Sequence, residues 1–373
     1  MIAKSLIFIL LLILLPDIYL YCRYLRRCRW WIALLWFLPT VLFTVATLLL
    51  ARSRDFVPDD ITWLNVYLFL LGLIPVAKLV FSLASLCGRH GWKIGIAAVV
   101  VVWSVLCYGT FVGPRQLDIR HVEIAFSDLP EAFDGYRIVH FTDAHVGSSS
   151  MAFVDRLVDS INAQGADMVA FTGDMQNKDP REVTPYIGAF SRIKAKDGVY
   201  AVQGNHDYPM YIDAPYYVKA ENEERLIGAE QEMGWTVLSN SHRLIRRDGD
   251  SMVIAGMQND GEGRFPQKGN IGIALWGVLR TQFIVMLEHD PSAWRRKILT
   301  HSHAQLTLSG HTHGAQFELF GWSPLSLFQK ECSGLYRQGE RSLYVSKGVG
   351  ALIPFRFCCN PEIVVITLHR KTP

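Results

Sequence analysis

YRIVHFTDAH, residues 136–145, is the stretch on which the fold turns. Its first six residues form an apolar, β-rich run of strand length, and the run breaks at Asp143 and His145, side chains that cores avoid and chemistry uses. The pattern recurs down the chain. DMVAFTGD (167–174) ends on Asp174, and VYAVQGNHD (199–207) ends on Asn205, His206 and Asp207. FIVMLEHDP (283–291) carries His289, and LTLSGHTHG (306–314) carries His311 and His313. Helical stretches fall between these runs, at Phe153–Gln164, Val183–Ile193 and Tyr217–Met233, and further strands are expected near Val237, Met252–Gly256, Leu343–Val345 and Ile363–Leu368. Strands alternating with helices predict an α/β layered domain.

In open α/β sheets, sites gather at the carboxyl ends of the strands. Five strand ends here deliver Asp143, His145, Asp174, Asn205, His206, His289, His311 and His313 to what reads as one edge of a sheet. A single Asp-x-His or a lone histidine is a weak signal. Five such clusters in order, each after an apolar run, are a strong one. Mixed imidazole and carboxylate donors suit Mn, Fe or Zn better than Ca or Mg alone. The seven cysteines include no Cys-x-x-Cys pair, which argues against a zinc ribbon. His301 and His303 read as a polar turn, and His121, His140, His242 and His369 as structural residues.

The ordered clusters TDAH, TGD, GNHD, LEHDP and SGHTHG resemble those of the calcineurin-like metallophosphoesterase superfamily, most of all its bacterial members with several N-terminal membrane spans. The likeness runs from about Ile119 to Leu368 and includes GRFPQKGN (263–270), HDPSAW (289–294), LYVSKGVG (343–350) and PEIVVITL (361–368). It implies a four-layer αββα sandwich with two divalent or transition metal ions, Mn, Fe or Zn, at the loops after the strands. By that resemblance Asp143, His145 and His313 hold the first ion, Asn205, His289 and His311 the second, and Asp174 bridges both. His206 becomes the acid at the leaving group, oriented by Asp207, and Asn177 a substrate contact. Gly314, Ala315 and Gln316 stand where the family often has Gly-Gly-Gln. The implied reaction is hydrolysis of a phosphate mono- or diester by a hydroxide bridging ions about 3.5–4 Å apart, with His206 protonating the departing oxygen.

Composition divides the chain. It is 373 residues long, 50% hydrophobic, with a mean hydropathy of +0.18. The apolar excess concentrates in residues 1–114, which hold ten Lys/Arg against four Asp/Glu, whereas residues 115–373 hold 27 against 30. The first part reads as a transmembrane region and the second as the phosphoesterase domain. A slightly acidic domain lacks the footprint that a nucleic-acid backbone requires. Four stretches, Ile2–Tyr21, Trp31–Ala51, Ile61–Cys87 and Ile94–Val112, approach the roughly 20 residues needed to cross a bilayer. Lys4 before the first of them suits a signal peptide, but no small-residue cleavage site follows, and Arg23, Arg26, Arg27 and Arg29 favour an uncleaved anchor. Those arginines, with Arg89 and Lys93, outweigh Arg52 and Arg54 of the second loop, where Asp55, Asp59 and Asp60 count for little, so the domain is expected outside the cytoplasmic membrane, on the periplasmic side. Lys78, inside the third stretch, reads as a lysine snorkelling to the surface. On an extracytoplasmic domain, Cys332 would be able to pair with Cys358 or Cys359.

The expected function is therefore a membrane-anchored phosphoesterase acting on a lipid-linked or envelope phosphate ester, with membrane lipids as partners and no nucleic acid. Two other readings stay open at this level: a cytoplasm-facing pyrophosphatase of a nucleotide-linked lipid, and a membrane scaffold or transporter that retains a phosphoesterase-like domain.

Overall fold

The computed structural model describes residues 5–52, 55, 57, 58 and 60–371, so Ile2, Lys4, Arg54 and Asp59 lie outside the described residues. The chain divides into two compact units, Met1–Val112 and Gly113–Pro373.

The second unit is built on two six-stranded mixed sheets. The first contains β1 (Asp118–Phe126), β2 (Arg137–Phe141), β3 (Met168–Phe171), β4 (Val199–Ala201), β5 (Thr236–Val237) and β12 (Glu362–Arg370), in the order β1-β12-β2-β3-β4-β5. The second contains β6 (Ser241–Arg247), β7 (Asp250–Gly256), β8 (Phe283–Leu287), β9 (Leu306–Ser309), β10 (Gly334–Gln338) and β11 (Arg341–Val345), in the order β10-β11-β9-β8-β7-β6. Strands β2 to β5 run parallel to one another, as do β7, β8, β9 and β11. Both faces of these strands are covered, which is why they read as continuous apolar runs.

Period-two alternation divides the core into layers. Ile138, Met168, Ala170 and Val202 face Ile254, Val285, Leu287 and Leu308 of the other sheet. Val139, Phe141, Val169 and Phe171 point the other way, into a layer built with helix Met151–Asn162 and with Leu226 of helix Tyr216–Glu232. Trp294, Ile298 and Ala274 cover the outer face of the second sheet. The result is helix, sheet, sheet, helix.

Three strands escape the sequence pattern: β1, β6 and β10. All three are sheet edges with half-exposed residues, so no apolar run marks them. The expected helix Val183–Ile193 is instead a set of short turns, with a regular helical turn only at Ile187–Phe190. Pro185 sits near the start of the tight turn Thr184–Tyr186, a position that a ring-fixed φ suits.

Among the described residues, four helices are long and apolar enough to cross a bilayer: Leu6–Leu25, Trp30–Ala51, Ile61–Ser85 and Gly91–Arg115. Pro16 and Pro39 lie within the first two, and Pro75 sits in a wider turn of the third. Ile13, Phe43, Leu64, Tyr67 and Leu71 pack at the centre, while Leu34, Leu42 and Leu49 face outward, as lipid-facing positions do.

Lys78 does not snorkel. Its Nζ lies 2.5 Å from the buried Asp17 carboxylate and 4.2 Å from the centroid of the Trp36 ring. The Thr40 hydroxyl donates to the second Asp17 oxygen. Burial in an apolar bundle makes an ion pair cheaper than a long reach for water, and the sequence reading missed this because Asp17 is 61 positions away. Lys78→Met alone strands a buried carboxylate and should destabilise the bundle by about 3–5 kcal/mol, whereas Asp17→Asn with Lys78→Met should recover most of the loss. Thermal unfolding of the full chain in detergent reads the difference; equal losses in the single and double variants would mean the pair is not coupled.

Candidate metal centre

The parallel strands of both sheets end at one place. Asp143 and His145 follow β2, Asp174 follows β3, and Asn205 and His206 follow β4; His289 follows β8, and His311 and His313 follow β9. The expected single sheet edge is therefore two edges, one from each sheet, facing each other. Main-chain bonds tie the loops together: the Asp143 N–H donates to the Gly173 carbonyl at 2.8 Å, that of His145 to Asp174 at 3.1 Å, and that of Gly310 to His289 at 3.0 Å.

The backbone is strained where these residues sit. Asp143 (φ 54°), His145 (φ 42°), Asp174 (φ 59°), His311 (φ 72°) and His313 (φ 50°) all occupy the left-handed region. Residues other than glycine rarely go there, and each such position costs on the order of 1–3 kcal/mol unless its surroundings enforce it. Two glycines make the close approach feasible. A Cβ at Gly204 would collide with the Asp174 carboxylate, and one at Gly310 with that of Asp143.

The side chains form three overlapping donor groups, two of which share Asp174. Asp143, His145 and His313 offer donor atoms within 4.8 Å of one another, as do Asp174, His289 and His311, and as do His145, Asp174 and His206. One Asp174 oxygen lies 3.6 Å from His145 Nε2 and 3.3 Å from His289 Nε2. Asn205 Oδ1 lies 2.6 Å from His311 Nδ1 and 3.2 Å from His289 Nε2. His145 Nδ1 donates to Asn177 Oδ1 at 3.0 Å and His289 Nδ1 to the Thr172 carbonyl at 2.6 Å, so both rings turn Nε2 into the site. Outer hydrogen bonds of this kind fix the tautomer of a metal-binding histidine.

The electrostatics fit a cation centre. Burial holds His145 down at about 3 and His313 well below its usual range, so both rings are neutral with a lone pair to offer. Burial pushes Asp143 up to about 7, and the charge of Asp174 adds to the rise. Burial also works to raise Asp174, but the neighbouring His289, His206 and His145 hold it well below the carboxylate range. Asp174 is thus compensated by its histidines, His289 above all, while Asp143 is the carboxylate left short of positive charge. His145 Nε2 and His313 Nδ1 are buried and have no hydrogen-bond partner among the described residues, which a metal ion would supply. The residues present fit metal ions.

Residues 136–315 match the family model described as calcineurin-like phosphoesterase. The unit that carries this site belongs to the calcineurin-like metallophosphoesterase superfamily. The chain is similar to the uncharacterized metallophosphoesterase YkuE of Bacillus subtilis, 29% identical over 70% of this chain and 88% of that protein. It is similar to a transmembrane protein with metallophosphoesterase domain of Danio rerio, 28% identical over 82% of this chain and 72% of that one. The uncharacterized metallophosphoesterase Cj0846 of Campylobacter jejuni is 26% identical over 98% of each chain.

Within the metallophosphoesterase unit, Asp207 and Asn177 make contacts that the motifs do not display. No hydrogen bond between Asp207 and the His206 ring is present among the described residues. The Asp207 carboxylate accepts backbone N–H groups from Asp174 (2.7 Å), Met175 (2.8 Å), Gln176 (3.4 Å) and Gly204 (2.8 Å), and so clamps the β3 and β4 loops together. The His206 ring is held instead by donation from Nδ1 to the Asn177 carbonyl at 2.6 Å, and it stacks on Tyr211 with centroids 4.1 Å apart. Asn177, expected at the substrate, is engaged with protein groups here. It is buried, with Oδ1 on His145 and Nδ2 on the Ser148 hydroxyl at 3.0 Å.

Sequence reasoning passed over Tyr211, whose hydroxyl accepts from Asn205 Nδ2 at 2.7 Å, and Phe265, which meets the His311 ring edge-on at 4.8 Å. It also gave no role to Asp290, whose carboxylate lies 3.7 Å from His311 Nε2, although LEHDP displayed it beside His289. Cys332, Cys358 and Cys359 are all free. The Cys332 thiol donates to the Gln329 carbonyl and that of Cys359 to the His313 carbonyl, so neither is bonded to another cysteine.

Asp207→Asn should speed hydrogen exchange at the amides of residues 174–176 and 204 by about ten- to a hundredfold, because a charged acceptor is worth about 1.5–3 kcal/mol. Unchanged exchange at those amides would return Asp207 to a role behind His206.

Proposed function

We propose that this protein is a membrane-anchored phosphoric ester hydrolase that works with two divalent or transition metal ions, Mn, Fe or Zn, on mono- or diesters carried by a lipid-linked or envelope molecule outside the cytoplasmic membrane. The observation that carries this reading is the position of Asp174, shared by two donor groups, with one oxygen 3.6 Å from His145 of the remaining group and 3.3 Å from His289. Asp143, His145 and His313 would hold one ion, Asn205, His289 and His311 the other, and Asp174 both. When bound, such a pair supplies Lewis acidity toward phosphoryl oxygens and an activated nucleophile at neutral pH.

The protein's own groups do the rest. His206 donates from Nδ1 to the Asn177 carbonyl, which leaves Nε2 to carry the proton that the departing oxygen needs. Burial lowers the pKa of His206 in the free site; the negative charge of a phosphoryl group drawn beside it raises that pKa again and loads the proton. Tyr211, stacked on the ring, keeps Nε2 from swinging away. Phe265 and Tyr211 flank His311 and His206 and shield them from bulk water, which strengthens every electrostatic contact within.

The purified full chain should bind about two transition-metal ions and cleave an aryl phosphate mono- or diester. Asp174→Asn should abolish both, and undiminished turnover in that variant would end the hydrolase reading. His206→Ala should slow alkyl esters by about 10²–10⁴-fold while sparing p-nitrophenyl esters, whose leaving group needs no proton. Equal slowing of both substrates would remove His206 as the acid. Loop arginines support the outward orientation: alkaline phosphatase fused after residue 114 should be active, and an inactive fusion would turn the unit to the cytoplasm.

A further inference from the structure

The loop that follows the last histidine pair is built to stay in place and to expose apolar side chains. Leu319 and Trp322 bond reciprocally, N–H to carbonyl, at 2.8 and 3.0 Å, and close a two-residue hairpin with Phe320 and Gly321 at its tip. Such tips favour Asn or Gly, because both positions need positive φ. Phe320 nevertheless sits there at φ 52° and is 100% exposed. A short helical turn, Pro324–Leu327, then presents Leu327 at 70% and Phe328 at 88% exposure, beside Trp322 at 49%.

The base of this loop is rigid. The buried Ser323 hydroxyl donates to the Gly314 carbonyl at 2.8 Å, and Gln316 Nε2 donates to the carbonyls of Ile353 and Phe355 at 2.7 and 2.9 Å. Glu318, the acidic residue of the loop, is paired with Lys347, and the exposed Lys330 follows. Phe, Trp and Leu held outward over a neutral-to-basic stretch have the composition of a membrane-interface element. A patch of this kind on a water-exposed surface marks an interaction site.

Two contacts tie the loop to the point where the chain enters this unit. The loop is joined at Phe317 to Phe357, by a β-bridge and by stacked rings 5.3 Å apart. Next to Phe357, the Arg356 carbonyl lies so close to Gly113 that a Cβ there would collide with it. Gly113 is where the chain enters this unit, within Gly91–Arg115, a helix apolar and long enough to span a bilayer. Covalent continuity thus puts the end of the unit that carries this loop beside a membrane.

We propose that residues 317–328 seat in the bilayer surface, with Phe320, Leu327 and Phe328 reaching the acyl region and Trp322 at the headgroup level. The loop begins one residue after Gln316, so seating it brings the His311 and His313 loop to the headgroups. In that respect the proposal rests on the hydrolase reading and narrows its substrate to a phosphate ester borne on a lipid of the same leaflet.

The test uses the full chain in nanodiscs of phosphatidylcholine and phosphatidylglycerol that contain a phosphatidylcholine with an acyl-chain diazirine. After irradiation and digestion, mass spectrometry should find lipid adducts within 317–328 as well as in the four spans. Phe320→Asp with Phe328→Asp should cut the loop adducts at least tenfold and leave the span adducts and the unfolding temperature unchanged, whereas Phe320→Trp should keep them. Labelled spans with an unlabelled loop, or equal loop adducts in the Asp variant, would overturn the docking proposal. Turnover of a soluble aryl phosphate, measured on the same samples, tests the hydrolase reading separately: its absence beside a labelled loop would leave docking standing and remove the substrate assignment.

Discussion

Two carboxylates, Asp143 and Asp174, are buried at the meeting point of two sheets with imidazoles around them, and most of the unit's architecture answers to that arrangement. Burying a charge costs several kcal/mol unless it is compensated, so bringing two of them together is tolerable only where positive charge can enter. The shifts of the two acids oppose each other: burial and the charge of Asp174 drive Asp143 up, whereas the histidines around Asp174 hold that acid down. The left-handed backbone at five of the clustered residues is the second cost of the site, and buried strands on either side hold those loops in place.

Asp207 illustrates how the cost is met. Its carboxylate gathers four backbone N–H groups from two loops, which holds Asp174 and Asn205 at the positions their clusters need. Asn177 does comparable work behind two histidines, with its side chain on His145 and its carbonyl on His206. Both residues carry hydrogen bonds that position the clustered side chains, contacts that a motif does not display.

The membrane unit repeats the logic at smaller scale. Asp17 and Lys78 neutralise each other inside an apolar bundle, with Thr40 and Trp36 completing their surroundings. The second unit shows the reverse situation in its 317–328 loop, where apolar rings are held out by a hydrogen-bonded base rather than drawn in. A buried charge with a partner and an exposed ring without one both depart from the usual partition of polar and apolar groups.

The sequence by itself determined the strand ends, the order of the five polar clusters, the four apolar stretches and the identity of the donor side chains. These are local properties: a run of alternating or continuous apolar residues, and what stands at its end. Edge strands β1, β6 and β10 stayed hidden because half-exposed strands carry no such run. Only the tertiary structure decided that the clusters come from two sheets rather than one, that Asp174 lies between them, that Lys78 finds Asp17, and that Asp207 clamps loops rather than a ring. Each of those depends on contacts between residues far apart in the chain, and a linear pattern records which groups are available, not which of them share a space.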